Sequence, residues 1–293
     1  MANLPYVAYY NGKFIGESDI VISPNDRGFL YGDGVFDTMR SVGRSVISYQ
    51  AHYDRLEESC RRTNIKLIPD NASLRRILAD LLIKNDLNDA YIRISVSRGT
   101  GDQFGFGYST NMKPTTLIAV RPCKEIPDKL YENGIKIDFE YSPLFNSLEQ
   151  RSKIKSLSAQ PYVHAKQKAL DKNCYEMLFM DSIENVYEGS SSNVFHIKNG
   201  IVYTPPVSSG ILPGTTRARV IQICTQKMKV QVTEKLISKN EMIQADEVFL
   251  TNTNIQVLPV TQAGKTVISN GKIGNLTHHI LSTFRQTLIE ILE

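Results

Sequence analysis

The sequence predicts an α+β protein. Three observations carry this. Alternating apolar segments and helical apolar stripes come in blocks, not in strict alternation along the chain. The 293 residues are enough for about two domains. The stretch Pro122 to Pro127, with two prolines, a cysteine and charged residues, offers a linker between them. The expected division is 1–122, a linker at 123–128, and 129–293.

Taken in order, Tyr6 to Phe14 reads as two short strands joined by Asn11-Gly12, a dipeptide suited to a type I′ turn. Asp26-Arg-Gly28 and Tyr31-Gly-Asp-Gly34 are turn-rich, and Val35-Phe36 restarts an apolar run. Ala51 to Thr63 has helical spacing. Ser73 to Lys84 is a second amphipathic helix, with Leu74, Ile77, Leu78, Leu81 and Leu82 on one face. Ala90 to Ser97 and Thr115 to Val120 read as strands. Beyond the linker, strands are expected at 135–139, 176–180, 193–197, 202–203, 230–233, 247–251 and 256–259. Helices are expected at 160–172, 215–228 and 277–292.

Bulk properties exclude several classes. Apolar residues make up 41% and charged residues 22%, an ordinary composition for a soluble globular chain. The net charge of +4 is mild, and no basic run is long enough to suggest nucleic acid. No apolar run approaches the roughly 18 residues of a membrane span. The start of the chain has neither a charged n-region nor an apolar h-region, so a cytoplasmic protein is expected. Cys60, Cys123, Cys174 and Cys224 lie far apart and suit buried free thiols; no metal site is expected.

The most informative feature is Val186-Tyr-Glu-Gly-Ser-Ser-Ser-Asn-Val-Phe195, about thirty residues after Lys153-Ile-Lys-Ser-Leu157. A lysine can hold an aldehyde cofactor as a Schiff base. An acid can hold a protonated pyridine nitrogen. The two needs coincide in pyridoxal 5′-phosphate chemistry, which also demands a phosphate site. Gly210-Ile-Leu-Pro-Gly-Thr-Thr-Arg217 puts a tight turn before a helix, whose first N–H groups and dipole suit an anion, with Thr215 and Thr216 adding hydroxyls. Arg55, in His52-Tyr-Asp-Arg-Leu56, could grip a phosphate with two parallel hydrogen bonds. Each part is commonplace alone: Arg55 as a surface residue, Thr215 as a helix cap, Glu188 in a polar turn. Lys153 and Lys155 would share a face in a strand, so spacing leaves the two equal.

Their order is more specific. Gly-Asp-Gly-Val-Phe-Asp (32–37), His-x-x-Arg-Leu (52–56), Ile-Lys-Ser-Leu (154–157), Glu-Gly-Ser-Ser-Ser-Asn-Val-Phe (188–195), Leu-Pro-Gly-Thr-Thr-Arg (212–217) and Ala-Asp-Glu-Val-Phe (245–249) together resemble the class IV, fold-type IV pyridoxal-phosphate aminotransferases. The resemblance runs from about Tyr10 to Pro259. It implies a two-domain fold with the cofactor in the cleft between domains, and a larger C-terminal domain that carries Lys155, Glu188 and the phosphate helix. It also implies that Lys155 is the catalytic lysine and that Glu188 partners the pyridine nitrogen. Arg55, Thr215, Thr216 and Thr253 would form the phosphate cradle, and Tyr31 and Phe36 would line the substrate pocket. A homodimer is implied, acting on an amino acid and a keto acid by a ping-pong mechanism in which Lys155 is the acid–base group.

Within the family, 154–157, 165–169, 173–176 and 188–195 are most similar to D-amino acid transaminases. That group, however, uses an Arg-x-His trap for the substrate carboxylate in the loop after Arg98-Gly99. This chain has Thr100-Gly-Asp-Gln-Phe-Gly-Phe-Gly-Tyr108 there. It also has Phe36 where that group commonly has Tyr. Tyr91-Ile-Arg93 and Arg40 resemble the branched-chain enzymes, yet their Asn-Tyr pair after the lysine is absent. Ser97-Arg-Gly-x-Gly101 and Gly107-Tyr-Ser109 are shared with aminodeoxychorismate lyases, which eliminate pyruvate. The expected activity is a D-amino acid transaminase. The alternatives are that lyase and a branched-chain L-amino acid or R-amine transaminase. Arg40, Arg93 and Arg98 are the candidates for the missing carboxylate clamp.

Overall fold

The computed structural model describes residues 6–67, 69–102, 104–145 and 154–292. These form two compact units. One holds the described residues up to 124 together with 154–159 and Leu292; the other holds the described residues of 125–145 and 160–291.

In the first unit, β1 (Val7–Tyr10) and β2 (Lys13–Gly16) form a hairpin. Its turn residues Asn11 and Gly12 have φ of 47° and 92°, the positive pair a type I′ turn requires. A short helix α1 (Arg27–Tyr31) leads into β3 (Gly34–Val42) and β4 (Ser45–Val46). Helices α2 (Tyr49–Arg62) and α3 (Asn71–Lys84) follow, then β5 (Ala90–Ser97) and β6 (Thr115–Pro122). The six-stranded sheet runs β2-β1-β6-β5-β3-β4. Alternation sorts its side chains by face. Val35, Met39, Ile92, Ile94, Val96, Ile118 and Val120 join Leu56 of α2 and Leu74, Leu78, Leu81 and Leu82 of α3 in one core. Phe36, Thr38 and Arg40, paired with Ser95, Arg93 and Tyr91, are half-buried on the opposite face.

The segment 154–159 belongs to this first unit, although the sequence points to the C-terminal domain. The reason is a free edge. Among the described strands, β4 pairs with β3 only at Ser41 and Val42, which leaves the start of β3 open. The later segment covers it. The Phe36 N–H donates to the Lys155 carbonyl at 2.8 Å, and the Leu157 N–H donates to the Gly34 carbonyl at 2.9 Å. Lys155 thus flanks a single bridge, Val35 to Ser156, and not a regular strand. Lys153 lies outside the described residues.

The second unit begins with α4 (Asp128–Asn133), β7 (Ile135–Tyr141), α5 (Gln160–Asp171) and β8 (Glu176–Met180). Strands β9 (Asn185–Gly189), β10 (Asn193–Lys198) and β11 (Ile201–Thr204) follow, then α6 (Thr215–Gln222). Next come β12 (Val232–Glu234), β13 (Ile237–Ser238), α7 (Lys239–Ile243), β14 (Glu247–Asn252), β15 (Gln256–Ala263), β16 (Thr266–Val267) and α8 (Asn275–Leu292). The strand order is β12-β11-β10-β14-β15-β7-β8-β9-β13, with β16 on β15 and a further pairing of β9 with β10. That last pairing closes β10, β14, β15, β7, β8 and β9 into a ring, and its closing pair is Glu188 opposite Asn193. Ile137, Leu178, Val186, Val194, Leu250 and Leu258, from each strand of the ring, share one core. Outside β8 and β9, Met177, Phe179 and Tyr187 pack with Phe145 and with Ala165 and Ala169 of α5.

Two elements differ from the sequence expectation. The helix expected at 215–228 stops being α-helical at Gln222 and continues as a π turn over Ile223–Lys227. Glu188, where no strand is expected from the sequence, lies in β9. Its strand escapes alternation because it is bulged: Leu178 pairs with Gly189 and Met180 with Val186, so β9 spends one residue more than β8.

Candidate active site

Around Lys155, the first unit gathers Phe36 and Arg93. Lys155 Nζ lies 4.8 Å from the centroid of the Phe36 ring, and Arg93 Cζ lies 3.8 Å from the same centroid. The negative face of an aromatic ring attracts both cations. Arg40 is on the same face of β3, two alternations beyond Phe36. Among the described residues, neither the Arg40 nor the Arg93 guanidinium has a carboxylate or hydrogen-bond partner, and the Arg40 Nε is buried without one.

Arg98 is different. Its Nε and Nη2 donate to Asp33 at 2.8 and 2.9 Å, Nη2 also to the Thr63 carbonyl at 2.9 Å, and Nη1 to the Asn64 carbonyl at 3.1 Å. The Tyr108 ring covers its Cζ at 3.6 Å. Each nitrogen is engaged and the residue is buried, so Arg98 has no donor left for a substrate carboxylate. It shares Asp33 with Arg27, whose remaining nitrogens donate to the carbonyls of Gly105, Phe106 and Gly107. This organises the loop after β5 beside Tyr31. The Tyr31 hydroxyl accepts from Gly105 N at 2.9 Å, and its ring lies 5.5 Å from that of Phe106.

Arg55 projects from α2 onto Asp37 of β3. Nε and Nη2 donate to the carboxylate at 2.8 and 2.9 Å, and His52 Nδ1 lies 2.7 Å from it. The alternation of β3 puts Asp37 between Val35 and Met39, where an apolar residue is expected. That misplaced acid was the legible sign of a buried ion pair, and the sequence expectation passed over it.

The second unit holds Glu188 and the helix start at Thr215. The bulge brings Glu188 to the side of α5, the side that Tyr187 already faces. Glu188 Oε2 accepts the Leu212 N–H at 2.9 Å, and Tyr162 OH of α5 lies 3.5 Å from Oε1. Burial, and next the Glu188 carboxylate, push the Tyr162 hydroxyl well above its ordinary value. Asn193, opposite Glu188, donates through Nδ2 to the Leu212 carbonyl at 3.0 Å. Glu188 and Asn193 therefore hold the two backbone groups of one residue in the turn before α6. That turn is tight: a Cβ on Gly214 would stand 2.0 Å from Asn193 Oδ1. Gly214 is the N-cap of α6 and has no side chain to close it, with Thr215 and the buried Thr216 in its first turn. Thr251, opposite Asn193 on β14, has a buried hydroxyl without a partner among the described residues. Thr253 is half-buried in the turn that follows β14.

This donor set fits pyridoxal 5′-phosphate. Taken unit by unit, the first offers an amine, Lys155, and the second a buried carboxylate, Glu188, and a glycine-capped helix N-terminus with threonines, the group types that a pyridine nitrogen and a phosphate call for. No described helix is long and apolar enough to cross a membrane.

Comparison with known proteins agrees. Residues 34–263 match the family described as amino-transferase class IV. A putative branched-chain-amino-acid aminotransferase of Methanocaldococcus jannaschii is 33% identical over 277 residues, 94% of each chain. A D-alanine aminotransferase of Bacillus licheniformis is 31% identical over 288 residues, 96% of each chain. In fold, the Escherichia coli branched-chain amino acid aminotransferase superposes with a TM-score of 0.88 at 24% identity, covering 96% of this chain and 94% of that one. The branched-chain aminotransferase of the archaeon Thermoproteus uzoniensis, solved with norvaline, gives 0.85 at 22% identity, covering 96% and 94%.

Proposed function

The chain belongs to the class IV aminotransferases, which use pyridoxal 5′-phosphate, and we propose that it moves an amino group between a D-amino acid and a 2-keto acid. The observation that carries a carboxylate-bearing substrate is the pair Arg40 and Arg93. Among the described residues neither guanidinium has a hydrogen-bond or ion-pair partner, on the face where Phe36 meets Lys155. A carboxylate is the ligand that a guanidinium grips best. An amine donor without a carboxylate would leave both unused. Preference for the D-enantiomer rests on the likeness of 154–157 and 188–195 to D-amino acid transaminases and on the B. licheniformis relative. A branched-chain L-amino acid is the second reading, favoured by Tyr91-Ile-Arg93, Arg40 and the M. jannaschii relative.

Bound pyridoxal phosphate supplies an aldehyde that condenses with amines and a ring that withdraws electrons. Lys155 would hold it through its amine and would move the proton at the substrate Cα. Glu188 would keep a proton on the ring nitrogen. Thr215, Thr216, Thr253 and Arg55 would bind the phosphate, with the α6 dipole behind the threonines. Tyr31 and Phe36 flank the substrate. Donor and acceptor use the same groups in turn, which gives ping-pong kinetics. We place the enzyme in the cytoplasm as a homodimer. The exposed rings of Phe29, Phe104 and Phe106, at 76%, 79% and 86%, are surface that a partner subunit would cover; light scattering tests the dimer.

The deciding experiment is a half-reaction on the holoenzyme, following the visible band of the bound cofactor. D-alanine, D-glutamate, L-leucine and R-1-phenylethylamine are added separately. Loss of the band with a D-amino acid alone supports the proposal. Loss with L-leucine moves the enzyme to the second reading. Loss with the amine moves the enzyme to an R-amine transaminase, in which Arg40 and Arg93 would serve only the keto acid. A band that survives every donor points to the lyase, tested next with aminodeoxychorismate.

A further inference from the structure

Glu176 opens β8 and is 1% exposed, yet it has no part in the chemistry above. Its carboxyl oxygens are surrounded by donors from one short turn. Ser190 Oγ donates to Oε1 at 2.5 Å, and Ser191 Oγ and Ser192 Oγ donate to Oε2 at 2.9 and 3.2 Å. The Ser191 N–H reaches Oε2 at 3.3 Å, and the Met177 N–H reaches Oε1 at 3.1 Å. The whole serine run between β9 and β10 converges on this one side chain. Gly189 is pressed against it: a Cβ there would stand 2.4 Å from Ser192 Oγ and 2.8 Å from Glu176 Cγ. From the other side, Asn252 Nδ2 donates to the Ser191 carbonyl at 2.9 Å.

The turn so held joins the two residues that close the ring, Glu188 and Asn193. It follows the bulge directly. A bulge is one residue from a regular register, and slipping by one residue would send Glu188 to the opposite face of the strand. A turn between two strands needs no buried acid to form, and burying one is costly unless its oxygens are fully used. Here they are used entirely on the turn and its own strand.

We propose that Glu176 is a positioning residue for Glu188. By gathering Ser190, Ser191 and Ser192 it fixes the turn, keeps the bulge in register, and so holds the Glu188 carboxylate on the α5 side with Asn193 on Leu212. The proposal rests on the reading in which Glu188 partners the ring nitrogen of pyridoxal phosphate.

The test compares Glu176→Gln, Ser190→Ala and Glu188→Gln with the parent holoenzyme. Three quantities are read: the pH midpoint of the visible cofactor band, the dissociation constant of the cofactor, and kcat against KM. Glu176→Gln should shift the midpoint in the same direction as Glu188→Gln, weaken cofactor binding, and lower kcat by roughly tenfold with little change in KM. Ser190→Ala removes one donor and keeps the acid, so it should reproduce the shift at smaller amplitude. It decides alone if Glu176→Gln does not fold. An unmoved band and kcat in these variants, even with a lowered Tm, overturn the proposal and leave Glu176 a purely structural residue. If Glu188→Gln also leaves the band unmoved, the assignment of Glu188 falls first and this one with it.

Discussion

The carboxylate of Asp37 grips the guanidinium of Arg55 through two hydrogen bonds, 2.8 Å from Nε and 2.9 Å from Nη2. The acid is wholly buried on β3, and the arginine comes from α2. Burial alone would raise the Asp37 carboxyl. Arg55 and His52 outweigh it and hold the group well below the usual carboxylate range. The direction in which Arg55 points is therefore set by the strand beneath it, and not by its helix.

This pair should appear as acid sensitivity. A carboxyl depressed in the fold stabilises at pH values above its unfolded value, about 3.9, and that contribution fades as pH falls toward the folded value. Asp37→Asn should cost about 3–5 kcal/mol at neutral pH, because it leaves Arg55 buried without its counter-charge. The difference from the parent should shrink below about pH 4. Denaturant unfolding of both proteins across that range checks the sign.

Lys155→Ala should lower turnover by about 10³-fold and leave the fold intact. The contacts that dock this segment on β3 are backbone ones, from Phe36 to Lys155 and from Leu157 to Gly34, so the substitution spares them. Lys153→Ala should keep activity. Single-turnover rates, with Tm as control, separate the two lysines.

Arg93→Ala and Arg40→Ala address the carboxylate. At least one should raise the keto-acid KM by roughly tenfold or more, since a charged hydrogen-bonding pair is lost. Arg98→Ala should instead lower Tm, because it leaves Asp33 with Arg27 alone and strips two backbone carbonyls of their donor. Steady-state kinetics beside thermal melts distinguishes a substrate arginine from a structural one.

Gly99→Ala should destabilise by more than about 2 kcal/mol. The residue has φ of +95°, and a Cβ would stand 1.9 Å from the Lys113 carbonyl oxygen, which is backbone and cannot turn away. Chemical denaturation checks this, and no recovery by a larger neighbouring side chain is expected.

The local part of the fold was legible. Asn11-Gly12 announced its hairpin, and the leucines at 74, 78, 81 and 82 announced the buried face of α3, because turn chemistry and helical periodicity act over a few residues. The ordered motifs made the family legible as well. What escaped was long-range. The bulge under Glu188 depends on the register of β8, the docking of 154–159 depends on an open edge more than a hundred residues earlier, and the engagement of Arg98 depends on Asp33 and on the carbonyls of Thr63 and Asn64. Single-residue spacing carries no trace of partners so distant. Glu176 and Asp37 were visible only as acids in apolar surroundings, a sign that a buried network was waiting for them.

The late return of 154–159 to β3 has a consequence for synthesis. Chains leave the ribosome N-terminus first, at about 5–20 residues per second. When residue 124 has emerged, every strand of the first sheet is present, yet the Gly34–Phe36 edge still lacks the neighbour that covers it. That edge stays open to any other nascent strand until residue 157 arrives. A fragment ended at 124 would carry the same exposed edge permanently, so the first unit should express poorly by itself and gain solubility when a peptide spanning 154–159 is supplied.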